Sequence, residues 1–225
     1  MTVTTACPPP PGGGNFADDG ADLRLFEHIA RELEDKGYCL YTGGLSEGLE
    51  VILSDQIAEI PERDFRPARI GRKVARRKNN SIRRDTISWI TGERPAGKAW
   101  LDWADALRLY LNRRLFLGLN SFESHYARYG AGDFYRRHYD AFQGESNRIL
   151  SLVAYLNHDW QPGDGGELLM YPGGGGRAPV AVAPAFGTLA VFLSEEMPHE
   201  VLPCRSERLS IAGWFRVRPI EIPLS

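Results

Sequence analysis

Apolar positions in the first half of the chain recur with the period of a helix. Between Asp22 and Lys36, Leu25, Ile29 and Leu33 fall on one face and Gly37 follows as a stop, so the spacing predicts a helix over 22–36. Tyr38–Tyr41 (YCLY) then reads as a short strand. Ser46 precedes a second stripe, Leu49, Leu53, Ile57 and Ile60, closed by Pro61. A hydroxyl at the N-cap and a proline past the end predict a second helix there. A third runs from about Lys98 to Phe116, with Gly118 just beyond it. Ile87–Ile90 (ISWI) reads as a strand, whereas Arg63–Arg84 has no sustained apolar period and reads as a loop.

After Leu119 the texture becomes that of a sheet. Short runs of β-branched and aromatic residues (SHYARY, RILSLVAYLN, ELLMYP, APVAVAP, TLAVFL, LSIAGWFRV) are separated by turn clusters such as GAGD, QPGDGG and GGGG. Strands at this spacing suggest a sandwich or barrel. Helices first and strands afterwards argue for an α+β chain, its helices bracing one face of a β-barrel or jelly roll. Residues 1–20 are rich in Pro and Gly, with four prolines at Pro8–Pro11. They cannot bury a core and read as a disordered tail, leaving 21–225 as a single domain. Gly173–Gly176 lacks the following Lys-Ser/Thr and helix of a phosphate loop and reads as a flexible turn. Trp89, Trp100 and Trp103 read as core.

Composition adds exclusions. At 225 residues with 43% hydrophobic and 25% charged side chains, the chain has the balance of a soluble globular protein. No apolar run approaches the roughly 18–20 residues of a membrane span. The start, MTVTTACPPPPGGGN, has neither the basic nor the apolar part of a secretory signal. Cys7, Cys39 and Cys204 are odd in number and widely spaced, which argues against a disulfide scaffold and for a cytoplasmic, reducing compartment. The net charge of −2 conceals an asymmetry: Arg63–Arg84 holds ten basic residues and one acid, a local +9. Such a segment suits nucleic acid, an acidic partner or plain solvent.

Five histidines occur, and two keep informative company. His138 and Asp140 stand two apart, a spacing that on a strand projects both to one face. His199 lies 59 residues beyond Asp140 in another strand-like segment. Two histidines and a carboxylate, with a close pair and a distant third, match the facial triad of non-haem iron(II) oxygenases, which leaves positions open for a co-substrate and oxygen. Nine residues after His199, Arg208 and Ser210 face one way on the last strand. A buried arginine there needs an anion, and its rigid fork suits a carboxylate. His28 and His125 read as structural or solvated, and His158 as a loop residue.

Together, His138-x-Asp140, His199 and Arg208-x-Ser210 resemble the 2-oxoglutarate- and iron(II)-dependent dioxygenases. YLNHDW (Tyr155–Trp160), the GGEL turn (Gly165–Leu168), PHEVLP (Pro198–Pro203), Trp214 and IRRDTISWITGERP (Ile82–Pro95) resemble the prolyl hydroxylases, including the hypoxia-inducible-factor enzymes and their bacterial relatives. The resemblance covers roughly 37–217. It implies a double-stranded β-helix (a jelly roll), with His138, Asp140 and His199 holding Fe(II). Arg208 and Tyr155 would hold the distal carboxylate of 2-oxoglutarate, beside Ser210, Tyr129 and the apolar walls Leu168 and Trp214. Tyr135, Arg148, Arg83 and Asp85 match positions near a bound polypeptide. Ala212 departs from the animal enzymes, which carry a hydroxyl there. The implied reaction is hydroxylation of a protein proline, with 2-oxoglutarate and O2 giving succinate and CO2 and ascorbate as an auxiliary reductant. Asp140 favours hydroxylation over halogenation, which uses a small residue in its place.

Elongation factor Tu is the candidate target that the bacterial relatives suggest, and a monomer is expected. Hydroxylation of free proline or a small metabolite is the first alternative, and nucleic-acid demethylation the second. The basic segment, continuing into Arg83 and Asp85, favours a polypeptide and reads as a mobile flap over it. The absence of a basic groove interleaved with aromatics argues against nucleic acid.

Overall fold

The computed structural model describes residues 19–68, 81–141 and 147–218. The N-terminal helix α1, Asp19–Lys36, starts three residues before the position expected from its apolar stripe. Its first two residues therefore belong to a helix rather than to the expected tail, whose other residues lie outside those described. The Asp22 carboxylate accepts from Trp103 Nε1 at 3.2 Å, tying this first turn to the third helix. Helix α2, Glu47–Glu59, is capped as its sequence predicts, with Ser46 Oγ accepting the Leu49 N–H at 3.3 Å. Helix α3, Pro95–Leu115, starts at a proline, whose missing N–H and fixed φ suit the first turn. It ends on Phe116 in the left-handed conformation, while the Asn112 side chain bonds both backbone groups of Leu119.

Eleven strands follow in chain order among the described residues: β1 Tyr38–Tyr41, β2 Arg66–Pro67, β3 Thr86–Trp89, β4 Ser121–Tyr129, β5 Tyr135–His138 and β6 Arg148–Tyr155, then β7 Leu168–Met170, β8 Val180–Val182, β9 Leu189–Leu193, β10 His199–Val201 and β11 Arg208–Arg216. They form a seven-stranded sheet ordered β1-β9-β6-β11-β4-β3-β2 and a four-stranded sheet ordered β5-β10-β7-β8. The larger sheet carries the three helices on one face and meets the smaller sheet on the other, giving an α+β jelly roll.

Strand β11 shows how the sequence sorts these layers. Leu209, Ile211 and Phe215 pack into the core under the helices. Arg208, Ser210, Ala212 and Trp214 alternate with them and face the space between the sheets. Gly213 lies on the helix side, where a Cβ would come within 2.5 Å of the Phe122 ring. The second core, between the sheets, gathers Tyr129, Tyr155, Leu168, Met170, Phe192 and Met197. Trp100 and Trp103 are core as expected, but Trp89 is 53% exposed, because edge-side β3 turns it out towards the rim. Residues 69–80, most of the basic segment, lie outside those described; of its flanks, Arg66–Pro67 is strand rather than loop. No helix among the described residues is long and apolar enough to cross a membrane.

Candidate active site

His138 and His199 are directly opposed across the antiparallel pair β5–β10, their rings 4.3 Å apart. Asp140 is not on the strand that its spacing suggested: β5 stops at His138, and the chain bends. The bend carries the carboxylate across to the larger sheet, where Ser151 Oγ donates to Asp140 Oδ2 at 2.6 Å and lies 2.9 Å from Ser194 Oγ. His138 Nε2 and His199 Nε2 approach the two carboxylate oxygens at 3.6 and 3.7 Å. All three donor atoms lie within 4.8 Å of one another.

Each imidazole is oriented from behind. His138 Nδ1 is 2.8 Å from the Arg136 carbonyl and His199 Nδ1 is 2.9 Å from that of Met197. A carbonyl only accepts, so both Nδ1 atoms donate and both Nε2 atoms are turned towards Asp140. Burial pushes the His199 imidazole down to about 4, overriding the attraction of Asp140, so it is neutral at physiological pH. Burial alone would raise the Asp140 carboxyl. The facing His199 and His138 rings and the Ser151 hydroxyl outweigh it and hold the group well below the usual carboxylate range. Two imidazoles and one ionised carboxylate form the donor set of a 2-His-1-carboxylate metal site, and these residues fit Fe(II).

The other end of the same interior is cationic. Arg208 is 3% exposed, and no carboxylate among the described residues pairs with it. Its Nε donates to the Gly166 carbonyl at 2.8 Å and Nη1 to Ser210 Oγ at 2.9 Å. Its guanidinium lies 4.8 and 5.0 Å from the ring centres of Tyr129 and Tyr155. The GGEL turn shapes this seat. Gly166 has φ +74°, and a Cβ on it would meet Arg208 Cδ and Cys204 Sγ at 2.9 Å. Among the described residues no hydrogen bond of good geometry reaches the buried Tyr155 hydroxyl, and burial raises its pKa against the pull of nearby Arg208. A buried cation without a counter-charge beside an unsatisfied hydroxyl fits a carboxylate ligand, and so fits one end of 2-oxoglutarate. Tyr129, directly opposite Arg208 across β4–β11, is held as a neutral phenol by burial. Leu168 closes the wall on the smaller sheet.

The residues expected near a polypeptide occupy the rest of the interior wall. Arg83 Nε and Nη2 donate to the two oxygens of buried Asp85 at 2.7 and 2.5 Å. The guanidinium of Arg83 lies over the Tyr135 ring, which stacks on His138. Arg148 reaches this face through a bulge. Phe215 pairs with Leu150 but Arg216 pairs with Arg148, so Ile149 is the extra residue that turns Arg148 inward. There its guanidinium lies 3.7 Å from the centre of the Trp214 ring, and Nη2 donates to Glu123 Oε1 at 3.0 Å.

The model of the 2OG-Fe(II) oxygenase superfamily matches residues 124–216, a span that contains the triad and Arg208. A prolyl-4-hydroxylase from Pseudomonas putida aligns at 41% identity and a TM-score of 0.77, over 86% of this chain and 99% of that one. The chain belongs to the prolyl hydroxylase group of the 2OG-Fe(II) oxygenases. This oxygenase is also similar to the prolyl hydroxylase from Trichoplax adhaerens, solved with a hypoxia inducible factor peptide fragment. That alignment has 27% identity and a TM-score of 0.78, over 88% of this chain and 91% of the other. Human Egl nine homolog 1 is 28% identical over 200 residues, or 84% of this chain and 46% of that protein. The chain thus spans about half the length of the curated relatives it matches.

Three residues of the oxygenase interior were not singled out by the sequence. Ser151 reads as a strand residue until the bend at Asp140 brings the carboxylate to it. Glu123 joins Arg148 and Arg216, which donates to Glu123 Oε2 at 2.8 Å. His125, expected to be structural or solvated, is buried on the interior face opposite Ala212, between the rings of Trp89 and Trp214. Burial, reinforced by nearby Arg83, pushes its imidazole down to about 4. Alternation along β4 from Tyr129 was the one signal that could have placed it there.

Proposed function

We propose that this oxygenase hydroxylates a prolyl residue within a protein substrate, using Fe(II), 2-oxoglutarate and O2, with ascorbate as an auxiliary reductant. One observation carries the reading: the His138–Asp140–His199 set and the unpaired cation Arg208 face the same interior between the two sheets. That is the arrangement a dicarboxylate needs if it is to reach a metal with one end and a cation with the other. With O2 as the oxidant, bound Fe(II) and 2-oxoglutarate would supply the oxygen-activating chemistry: one oxygen atom would end in succinate as CO2 is lost, and the other in the C–H bond.

The chain's own residues do the positioning. His138, Asp140 and His199 would hold the metal, a set of three donors that would leave further positions open to ligands. Arg208 and Tyr155 take the distal carboxylate, with Ser210 steering Arg208 and with Tyr129, Leu168 and Trp214 excluding water. Tyr135 and Arg148, with Arg83 and Asp85 behind them, form the wall towards the substrate. A protein rather than a free amino acid is favoured by the exposed aromatics at the rim, Trp89 and Tyr139, and by similarity to an enzyme solved with a peptide. Elongation factor Tu in the cytoplasm is the candidate target that the sequence resemblance to bacterial prolyl hydroxylases suggests.

The test is an incubation with Fe(II), 2-oxoglutarate and O2 and either elongation factor Tu or free proline. Oxygen insertion into the protein, with matching succinate and no reaction of the free amino acid, is expected. Turnover on free proline alone would assign the small-molecule reaction instead.

A further inference from the structure

The two histidines of the triad are supported unequally. His199 lies on a strand flanked on both sides, by β5 and β7, with the Phe192 ring edge-on at 4.8 Å. His138 ends β5, the outermost strand of the smaller sheet, which pairs with β10 through an irregular register. What covers the free edge of β5 is the segment 81–85. Arg136 N donates to Ile82 O at 2.8 Å and Arg84 N to Phe134 O at 3.1 Å. Arg83 and Tyr135 form the bridge between them. Immediately after Asp85 the same segment becomes β3 of the larger sheet.

At this corner the side chains form a continuous ladder. The fork of Arg83 is held bidentately by Asp85, which is 1% exposed. Its guanidinium lies 4.3 Å from the centre of the Tyr135 ring. That ring stacks on the His138 imidazole at 3.5 Å with an interplanar angle of 17°. Each rung fixes the next: a charge-assisted fork orients the cation, the cation the phenol face, and the phenol face the plane of the imidazole. The Arg136 carbonyl holds His138 Nδ1 in line, and the stack on Tyr135 restrains rotation of the ring out of its plane.

We infer that Arg83 and Tyr135 are positioning residues for the metal ligand His138, with Asp85 locking Arg83, so that the strand leading to the substrate rim and the metal site move as one unit. This inference rests on the proposed metal role of the triad. It also separates Arg83 from a direct substrate clamp, since its donors at Nε and Nη2 are spent on Asp85.

The experiment is Mn(II) affinity, read by electron paramagnetic resonance of the free ion, on the full chain without 2-oxoglutarate or peptide. Thermal unfolding is followed in parallel. Tyr135→Phe keeps the ring and should bind Mn(II) as the wild type does. Tyr135→Leu and the double variant Arg83→Met/Asp85→Met, which leaves no buried charge alone, should bind roughly 10–100-fold more weakly, the usual cost of losing outer support of a metal ligand. Because Tyr135→Leu leaves the ion pair intact, it tests the ladder even if the double variant fails to fold. Wild-type affinity in Tyr135→Leu, with only a raised KM for the substrate, would overturn the inference in favour of a substrate contact. Absence of Mn(II) binding by the wild type, or equal binding by His199→Ala, would overturn the metal site itself and the inference with it.

Discussion

Arg208 carries a full charge into the interior and meets a carbonyl and a hydroxyl there, but no acid among the described residues. Its stabilisation by an incoming carboxylate should therefore be large. Removing one partner of a buried ion pair costs about 3–5 kcal/mol, so Arg208→Met should raise the 2-oxoglutarate Kd by about 100-fold or more. Titration calorimetry on Mn(II)-loaded protein would measure this, and Mn(II) affinity should be unchanged. Tyr155 offers a single hydroxyl beside Arg208, with no well-formed hydrogen bond to it among the described residues. One hydrogen bond to a charged group is worth about 1.5–3 kcal/mol, so Tyr155→Phe should weaken the same binding by roughly 10-fold or somewhat more. Equal affinities for Arg208→Met and the wild type would remove the anchor. At this scale the sequence was informative wherever chemistry is unusual: a histidine pair with a carboxylate, an arginine two residues before a serine on the last strand. It was silent on Ser151 and Glu123, whose residue types are ordinary and whose roles arise only from what the fold sets opposite them.

Among the elements, the helices and most strands were legible because their apolar periods are strong, and Ser46 marks a helix start by simple backbone chemistry; the third helix starts at Pro95, three residues before the expected Lys98. Asp140 was placed on a strand by its spacing from His138, whereas the chain bends there. Arg148 was expected near the substrate from the resemblance alone; alternation along its strand does not give that placement, which a bulge at Ile149 produces. Bend and bulge both break the period of two, and both depend on pairing with distant strands.

Helix α2 holds a further consequence. Glu50 is 7% exposed, its Oε1 has no partner, and burial pushes its carboxyl up to about 7. Gly187, at φ +73°, lies so close that a Cβ there would meet Oε1 at 2.4 Å. A carboxyl whose folded pKa exceeds its unfolded value holds its proton more tightly in the fold. Stability should therefore fall as pH rises from about 4.5 to about 7, by up to about 3 kcal/mol. Glu50→Gln should flatten that part of the unfolding curve and gain most over the wild type above pH 7. Parallel pH profiles of Tm would show that Glu50 ionises without cost. Gly187→Ala should be destabilising at every pH, since it adds both a steric clash and a strained φ.

The molecule as a whole is an oxygenase jelly roll whose small net charge hides a +9 segment at Arg63–Arg84. If that segment draws in an acidic protein surface, screening should weaken the attraction. Raising ionic strength from about 50 to about 500 mM should then raise KM for the protein substrate while leaving that for 2-oxoglutarate, bound deep at Arg208, nearly constant. A salt-independent KM would assign the segment to solvent. The central claim, oxygen insertion at a protein proline, is tested most directly by mass spectrometry of whole proteomes from cells with the intact chain and with its His199→Ala variant. A prolyl residue heavier by one oxygen atom only where the intact chain is present is the predicted result. Identical prolyl masses in the two proteomes, with 2-oxoglutarate still turned over by the purified chain, would contradict it.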